Sequence, residues 1–231
     1  MAKNIAHSRS LGIKALLILC LFLGACKPEP PPPLVLSCAG DSLMRPMPYY
    51  FRQLLRPRRR KLVLLEWAQG GLNTKTYQSF FREHEEKWRR ALPDAVLVQL
   101  GTNDVPLFLA GTQTVDEFEA GLTKILEDFQ DCRSRDGRPP LLLVATAPFF
   151  ADTPANLEKN RLVSSRLNPT IRKAARRAGA VIVDNFAVLE NRPELYDPDG
   201  VHPNCLGEAA LARNWARAVR SRLSGSGKNR R

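Results

Sequence analysis

Residues 33–44 read PLVLSCAGDSLM. An apolar run, Leu34–Leu36, passes into small residues and then into an acid beside a serine. A near-continuous apolar run of this length suits a strand buried on both faces. Small residues directly after it mark a strand turning toward a helix, and Ser42 stands in that turn.

The pattern recurs along the chain. Apolar runs lie at 34–38, 62–66, 95–100, 141–147 and 180–184. Helical patterns alternate with them at 50–55, 74–92, 114–134, 156–179 and 206–223. In the third, Val115, Phe118, Leu122, Ile125, Leu126 and Phe129 share one helical face. The fourth should bend at Pro169, which has no N–H to donate, and stop at Gly179. Strand alternating with helix predicts an α/β fold: a five-stranded parallel sheet with right-handed crossovers and helices on both faces. Ligands of such sheets sit beyond the carboxyl ends of the strands.

Residues able to do chemistry follow the strands directly. Gly40-Asp41-Ser42 follows the first, Gln69-Gly70-Gly71 the second, Gly101-Thr102-Asn103-Asp104 the third, and YDPDGVHPN the fifth, after a loop. A serine needs a base to become a nucleophile, and histidine is the usual one near neutral pH. The chain has three: His7, His84 and His202. His7 belongs to a leader-like segment and His84 to a charged helical stretch where it should be solvated, which leaves His202. The carboxylate that orients its ring is Asp199 or Asp197 on spacing alone. An acyl-transfer oxyanion needs fixed donors; the Ser42 N–H, the Gly70 N–H and the Asn103 amide are on offer.

With Ser42 in GDSL, a glycine after the second strand, Asn103 in GTND, and Asp199 and His202 in DGVHPN, the chain resembles the SGNH (GDSL) hydrolases. The resemblance runs from about residue 34 to 222. It implies a flavodoxin-like three-layer α/β/α sandwich with strand order 2-1-3-4-5, and no metal or cofactor. It also implies Ser42 as nucleophile, His202 as base, Asp199 as its partner, and Gly70 and Asn103 as oxyanion donors with Ser42. Members deacylate acetylated sugars, lysophospholipids, aryl esters and thioesters. One block departs from the pattern: QGGLNT has adjacent glycines and puts Asn73 where a later glycine is common, so Gly71 is an alternative to Gly70.

Other residues invite plainer readings. Asp41 reads as a turn-capping carboxylate and Asp104 as structural. Trp67, Trp88 and Trp215 read as core. Phe149 and Phe150 could wall a pocket or pack inside. Tyr49, Tyr50 and Phe51, soon after Ser42, either line the cleft or pack beneath it, and packing is the expectation.

The ends of the chain carry their own signals. Residues 1–14 are basic without an acid, ALLILCLFL is apolar, and LGAC ends at Cys26. The apolar run is short for a membrane span and fits a secretory leader at 1–25. Leu23–Cys26 also resembles a bacterial lipobox, which implies lipidation of Cys26; cleavage elsewhere by an ordinary leader peptidase is the alternative. KPEPPPP would then be a stiff spacer over 26–33 ahead of a domain at 34–223. Lys27 in place of the aspartate associated with inner-membrane retention points, in a source with two membranes, to the outer membrane or periplasmic face. The expected setting is the bacterial cell envelope, with the membrane as partner through the lipid anchor.

The formal charge is +12. Much of it sits in RPRRRK at 56–61 and in residues 213–231, which hold seven basic residues and no acid. Such runs suit an anionic surface or a solvated face, and no nucleic-acid motif accompanies them. SGSGKNRR at the end reads as a disordered basic tail. Without Cys20 and Cys26 an odd number of cysteines remains, Cys38, Cys132 and Cys205, which should be buried and inert.

These readings predict a serine ester hydrolase. Lacking long insertions, it should have a shallow cleft suited to small acyl groups such as O-acetyl esters of an envelope or other polysaccharide. A lysophospholipase or thioesterase is the alternative, and a non-catalytic glycan-binding protein on the same fold the rival.

Overall fold

The computed structural model describes residues 29–57 and 60–223. The expected leader, the expected lipidation at Cys26 and the expected tail at 224–231 lie outside the described residues. Among the described residues no helix is long and apolar enough to cross a membrane.

Five strands form one parallel sheet: β1 (Leu34–Gly40), β2 (Leu62–Ala68), β3 (Ala95–Gln99), β4 (Leu141–Ala145) and β5 (Val181–Val183). Their order is 2-1-3-4-5. Leu36 lies beside Leu64 of β2 and Ala95 of β3, so β1 is central and buried along its whole length. β2 and β5 form the edges and are half-exposed over most of their length. Their apolar sequences suggested burial on both faces, but each has a neighbour on one side only.

Helices cover both faces. One face carries α1 (Met47–Leu54) and, at the end of the domain, α9 (Cys205–Leu223). The other carries α2 (Thr74–Glu83), α3 (Glu85–Ala91), α5 (Val115–Asp131) and α7 (Asn168–Arg177). Short α4 (Val105–Leu109), α6 (Leu157–Leu162) and α8 (Phe186–Leu189) lie in the connections. Alternation along a strand splits the core in two. Val96 and Val98 of β3 pack with Phe81, Trp88, Phe118, Phe129 and Ile171. Ala95 and Leu97 pack with Met47, Phe51, Leu211 and Trp215 on the opposite face.

Two expected helices differ in detail. The 74–92 helix is two, parted at His84, whose φ of −112° and ψ of 10° leave the helical region. His84 is half-buried rather than solvated. Its Nδ1 meets the Phe80 carbonyl at 2.9 Å, and its ring lies 4.6 Å from that of Phe80 and 5.9 Å from that of Trp67. The 156–179 helix has no simple kink at Pro169. It widens into a π turn at Val163–Leu167, where the Asn168 N–H reaches the Val163 carbonyl five residues back. Pro169 cannot donate to the turn before it, and the chain adapts one turn early.

Candidate active site

β1 turns sharply at its carboxyl end. Gly40 has φ +151°, and a Cβ there would lie 2.1 Å from the Gln99 carbonyl oxygen, so only glycine fits. That close approach joins β1 to β3, and the Asp41 N–H donates to the same carbonyl at 3.1 Å. Asp41 then caps the turn: its Oδ1 accepts from the Leu43 N–H at 3.0 Å and its carbonyl from the Met44 N–H at 3.2 Å. Ser42 is held between them, at the point where strand order reverses.

His202 sits in the loop before α9. The loop is pinned by an antiparallel bridge between Tyr196 and Pro203 and by the Asp197 N–H, which donates to the His202 carbonyl at 2.8 Å. Asn204 fastens it further. Its Nδ2 donates to the carbonyls of Glu194 and Tyr196, and its Oδ1 accepts from the N–H groups of Leu206 and Gly207 in the first turn of α9. Catalytic motifs alone miss Asn204; an asparagine just ahead of a helical pattern is the signal that marks it. The loop after β4 braces the same turn, with the Ala151 N–H donating to the Gly200 carbonyl at 2.9 Å and Tyr196 Oη donating to the Phe149 carbonyl.

Three side chains meet on the open rim. Ser42 Oγ lies 3.0 Å from His202 Nε2, and His202 Nδ1 lies 2.6 Å from Asp199 Oδ2. Asp199 Oδ1 accepts from the Val201 and His202 N–H groups at 2.8 and 2.9 Å. It is Asp199, not Asp197, that the ring faces. Partial burial pushes the Asp199 carboxyl up, but hydrogen bonds from the His202 ring and from both N–H groups outweigh it and hold it down at about 2. Asp199 is therefore ionised across the neutral range.

The oxyanion candidates surround Ser42. A Cβ placed on Gly70 would sit 3.9 Å from the Ser42 Cβ, so the two backbones are adjacent. Gly71, at φ +79°, needs to be glycine for its conformation and has nothing within 4 Å of such a Cβ. Proximity favours Gly70; the turn explains Gly71. Asn103 is half-buried, and its Nδ2 donates to the Leu72 carbonyl at 3.0 Å, which leaves a second N–H on that nitrogen. Asn73 acts locally and caps α2, its Oδ1 accepting from the Lys75 and Thr76 N–H groups. Asp104 is buried and accepts from the Thr74 N–H, the Thr74 hydroxyl and Gln113 Nε2. It thereby ties the Asn103 turn to the start of α2. Burial raises its carboxyl above the ordinary range.

Asp41 is buried completely, and its Oδ2 has no partner. Burial raises the carboxyl to about 7, opposed by the Leu43 N–H and reinforced by the charge of Asp104.

A cleft of about 570 Å³ opens beside the serine and histidine, with Arg45, Glu66, Asp197 and Glu208 on its walls. Glu66 pairs with Arg52 at 3.0 Å, and Glu208 accepts from Tyr50 Oη at 2.9 Å. Phe150 is core, whereas Phe149 is half-buried with its ring 5.4 Å from that of Phe186. Tyr49 is exposed, and Phe51, Trp88 and Trp215 are core. Trp67 is partly buried and stacks on Trp88 at 4.6 Å. Among the described residues no cluster of His, Cys, Asp and Glu could hold a metal ion.

Comparison with known proteins agrees with this layout. An acetylxylan esterase of Xylanibacter ruminicola is 25% identical over 154 residues, 59% of this chain and 31% of that protein. A GDSL lipase of Mycobacterium tuberculosis is 35% identical over 104 residues, 44% of this chain and 42% of that protein. The chain thus spans less than half the length of these curated relatives. Among solved structures, an acetylxylan esterase from Geobacillus stearothermophilus superposes with a TM-score of 0.65 at 20% identity, covering 80% of this chain and 94% of that one. That likeness shows a shared fold. The GDSL-like Lipase/Acylhydrolase family matches residues 37–210, most of the domain and all the blocks described above, and the chain belongs to that family, the SGNH hydrolases.

Proposed function

We propose that the chain is a serine ester hydrolase that works through an acyl-enzyme and removes O-acetyl groups from a polysaccharide of the cell envelope or its surroundings. One observation carries the reading: the chain of contacts from Ser42 Oγ through the His202 ring to Asp199, at 3.0 and 2.6 Å, on an open rim. His202 Nε2 takes the Ser42 proton as Oγ attacks the ester carbonyl. Charge developing on the carbonyl oxygen meets the N–H groups of Ser42 and Gly70 and the free N–H of Asn103. His202 then hands its proton to the departing alcohol, and water repeats the sequence on the acyl group. Asp199 holds the ring and balances the imidazolium.

The cleft favours the glycan reading. Glu66, Asp197 and Glu208 line it beside Arg45, and with Glu66 paired to Arg52 the walls still carry more carboxylates than guanidinium groups. Carboxylates accept hydrogen bonds from sugar hydroxyls and repel the phosphate of a lysophospholipid. The relatives named as acetylxylan esterases point the same way. We place the protein in the bacterial envelope, anchored through lipid on Cys26.

The test is acetate release from acetylated glycans beside turnover of a nitrophenyl acetate and of lysolipids, with Ser42→Ala as control. The proposal expects turnover of the acetyl esters that falls by about 10⁴-fold or more in Ser42→Ala. Equal turnover by the variant overturns Ser42 as nucleophile. Turnover of lysolipids alone moves the substrate to lipid, and no turnover of any ester favours a binding protein.

A further inference from the structure

The catalytic rim leaves the other end of the sheet unexplained. There, two basic stretches far apart in sequence come together. Arg56 and Arg60, just ahead of β2, and Arg220, near the end of α9, border a cleft of about 560 Å³. Its floor is apolar, made by Leu34 at the start of β1, Leu55 and Val219. Arg222, exposed on the last turn of α9, lies in the adjoining cleft with Arg60.

The charge there is incompletely neutralised. Arg60 pairs with Asp94 at 3.1 Å, and Arg138 pairs with Asp136. The Arg220 guanidinium donates to the Leu54 carbonyl rather than to an acid. Among the described residues Arg56, Arg220 and Arg222 face no carboxylate partner. Arg56, Arg220 and Arg222 are exposed, whereas Leu34, Leu55 and Val219 are buried at the base of the cleft. The exposed arginine rim matches the headgroup layer of an anionic bilayer, where phosphates meet guanidinium.

The chain enters the domain at this same end. The Pro33 carbonyl accepts from Arg60 at 2.8 Å and from Arg135 at 3.4 Å, and Leu34 follows as the first residue of β1. Ser42 lies beyond the opposite end of that strand. Seven strand residues separate the two ends, roughly 20 Å at about 3.3 Å per residue.

We propose that this end of the domain docks on an anionic phospholipid surface and holds the catalytic rim away from it. Arg56 and Arg220 contact headgroup phosphates at the rim of the cleft, above the buried Leu34, Leu55 and Val219. Docked this way, Ser42 works on esters that approach from the aqueous side. Orientation then adds to the cleft's charge in selecting against membrane lipids as substrates.

The test measures binding of the full chain to vesicles of phosphatidylcholine with and without 30% phosphatidylglycerol, in low and high salt. Binding of the wild type should rise with phosphatidylglycerol. Arg56→Gln should weaken that gain about fivefold and the pair Arg56→Gln/Arg220→Gln about 25-fold, as expected for one arginine each near a charged bilayer. Arg161→Gln/Arg213→Gln removes the same charge from helical positions outside the cleft and should change the gain less than about twofold. Equal losses in both pairs would reduce the effect to net charge and overturn the site. Dextran sulfate of equal charge should bind about tenfold or more weakly than the vesicles; parity overturns a lipid surface in favour of any polyanion. Turnover of a soluble aryl ester should stay within about twofold on docking, and its loss would place the rim against the membrane. Should no ester be turned over, the binding arms still read the surface by themselves.

Discussion

A serine in a turn is inert until a ring stands at the right distance and a carboxylate holds that ring. Here Asp197 and Asp199 flank the same turn, but only Asp199 reaches Nδ1. Asp199→Asn should lower kcat on the order of 10⁴-fold, while Asp197→Asn should leave kcat within about threefold. Steady-state kinetics on one ester separates them, and equal losses would reopen the choice. Removing a neutral oxyanion donor in Asn103→Ala should lower kcat about a hundred- to thousandfold with little change in KM. Asp41 makes a different prediction. Unfolded, its carboxyl loses the proton near its ordinary value of 3.8; folded, it keeps it up to about 7. The stability this group contributes is complete below about pH 4 and lost as pH rises through 7. Asparagine cannot ionise, so Asp41→Asn should gain on the wild type by on the order of 3 kcal/mol between pH 4.5 and 8. Urea unfolding at both pH values checks it; a gap that does not change with pH would mean that Asp41 is not held protonated.

At the scale of elements, the site depends on how closely β1 and β3 approach at their carboxyl ends. The Cβ of an alanine at position 40 would meet a backbone oxygen that cannot move without breaking the sheet. Gly40→Ala should therefore cost about 3 kcal/mol or more. Gly70→Ala, whose Cβ clears its neighbours at 3.9 Å, should stay within about 1 kcal/mol of the wild type. Thermal unfolding of the two variants tests the contrast, and equal melting points would contradict it. The helices show where pattern reading loses force. α5 is bounded by a capping box between Thr114 and Glu117, and its apolar face was visible in the spacing of Phe118, Leu122, Ile125 and Phe129. The break at His84 was not: there the ring packs against Phe80 and Trp67, and Nδ1 meets the Phe80 carbonyl that a continuing helix would give to the His84 N–H.

Across the whole molecule, the two ends of the sheet differ: Ser42, Asp199 and His202 meet beyond the carboxyl ends, and Arg56, Arg60 and Arg220 border a cleft at the amino ends. The cysteines differ as well. Cys38 and Cys132 are buried, and burial pushes the Cys38 thiol far up and the Cys132 thiol up to about 11. Cys205 is exposed at the start of α9, against the expectation that all three would be buried. A maleimide added to the native protein should label Cys205 and spare Cys38 and Cys132, as read by peptide mapping; labelling of Cys38 without denaturant would contradict the sealed sheet. By itself the sequence determined the alternation of strands and helices, the identity of Ser42, Asn103 and His202 as candidates, and the side of the sheet where they fall. Those follow from local periodicity and from residues placed directly after strands. Only the tertiary structure decided between Asp199 and Asp197, set Gly70 against Ser42, left an oxygen of Asp41 without a partner, and drew Arg56 toward Arg220. Each of these is a distance between segments that fold together, and spacing along a chain carries no such distance.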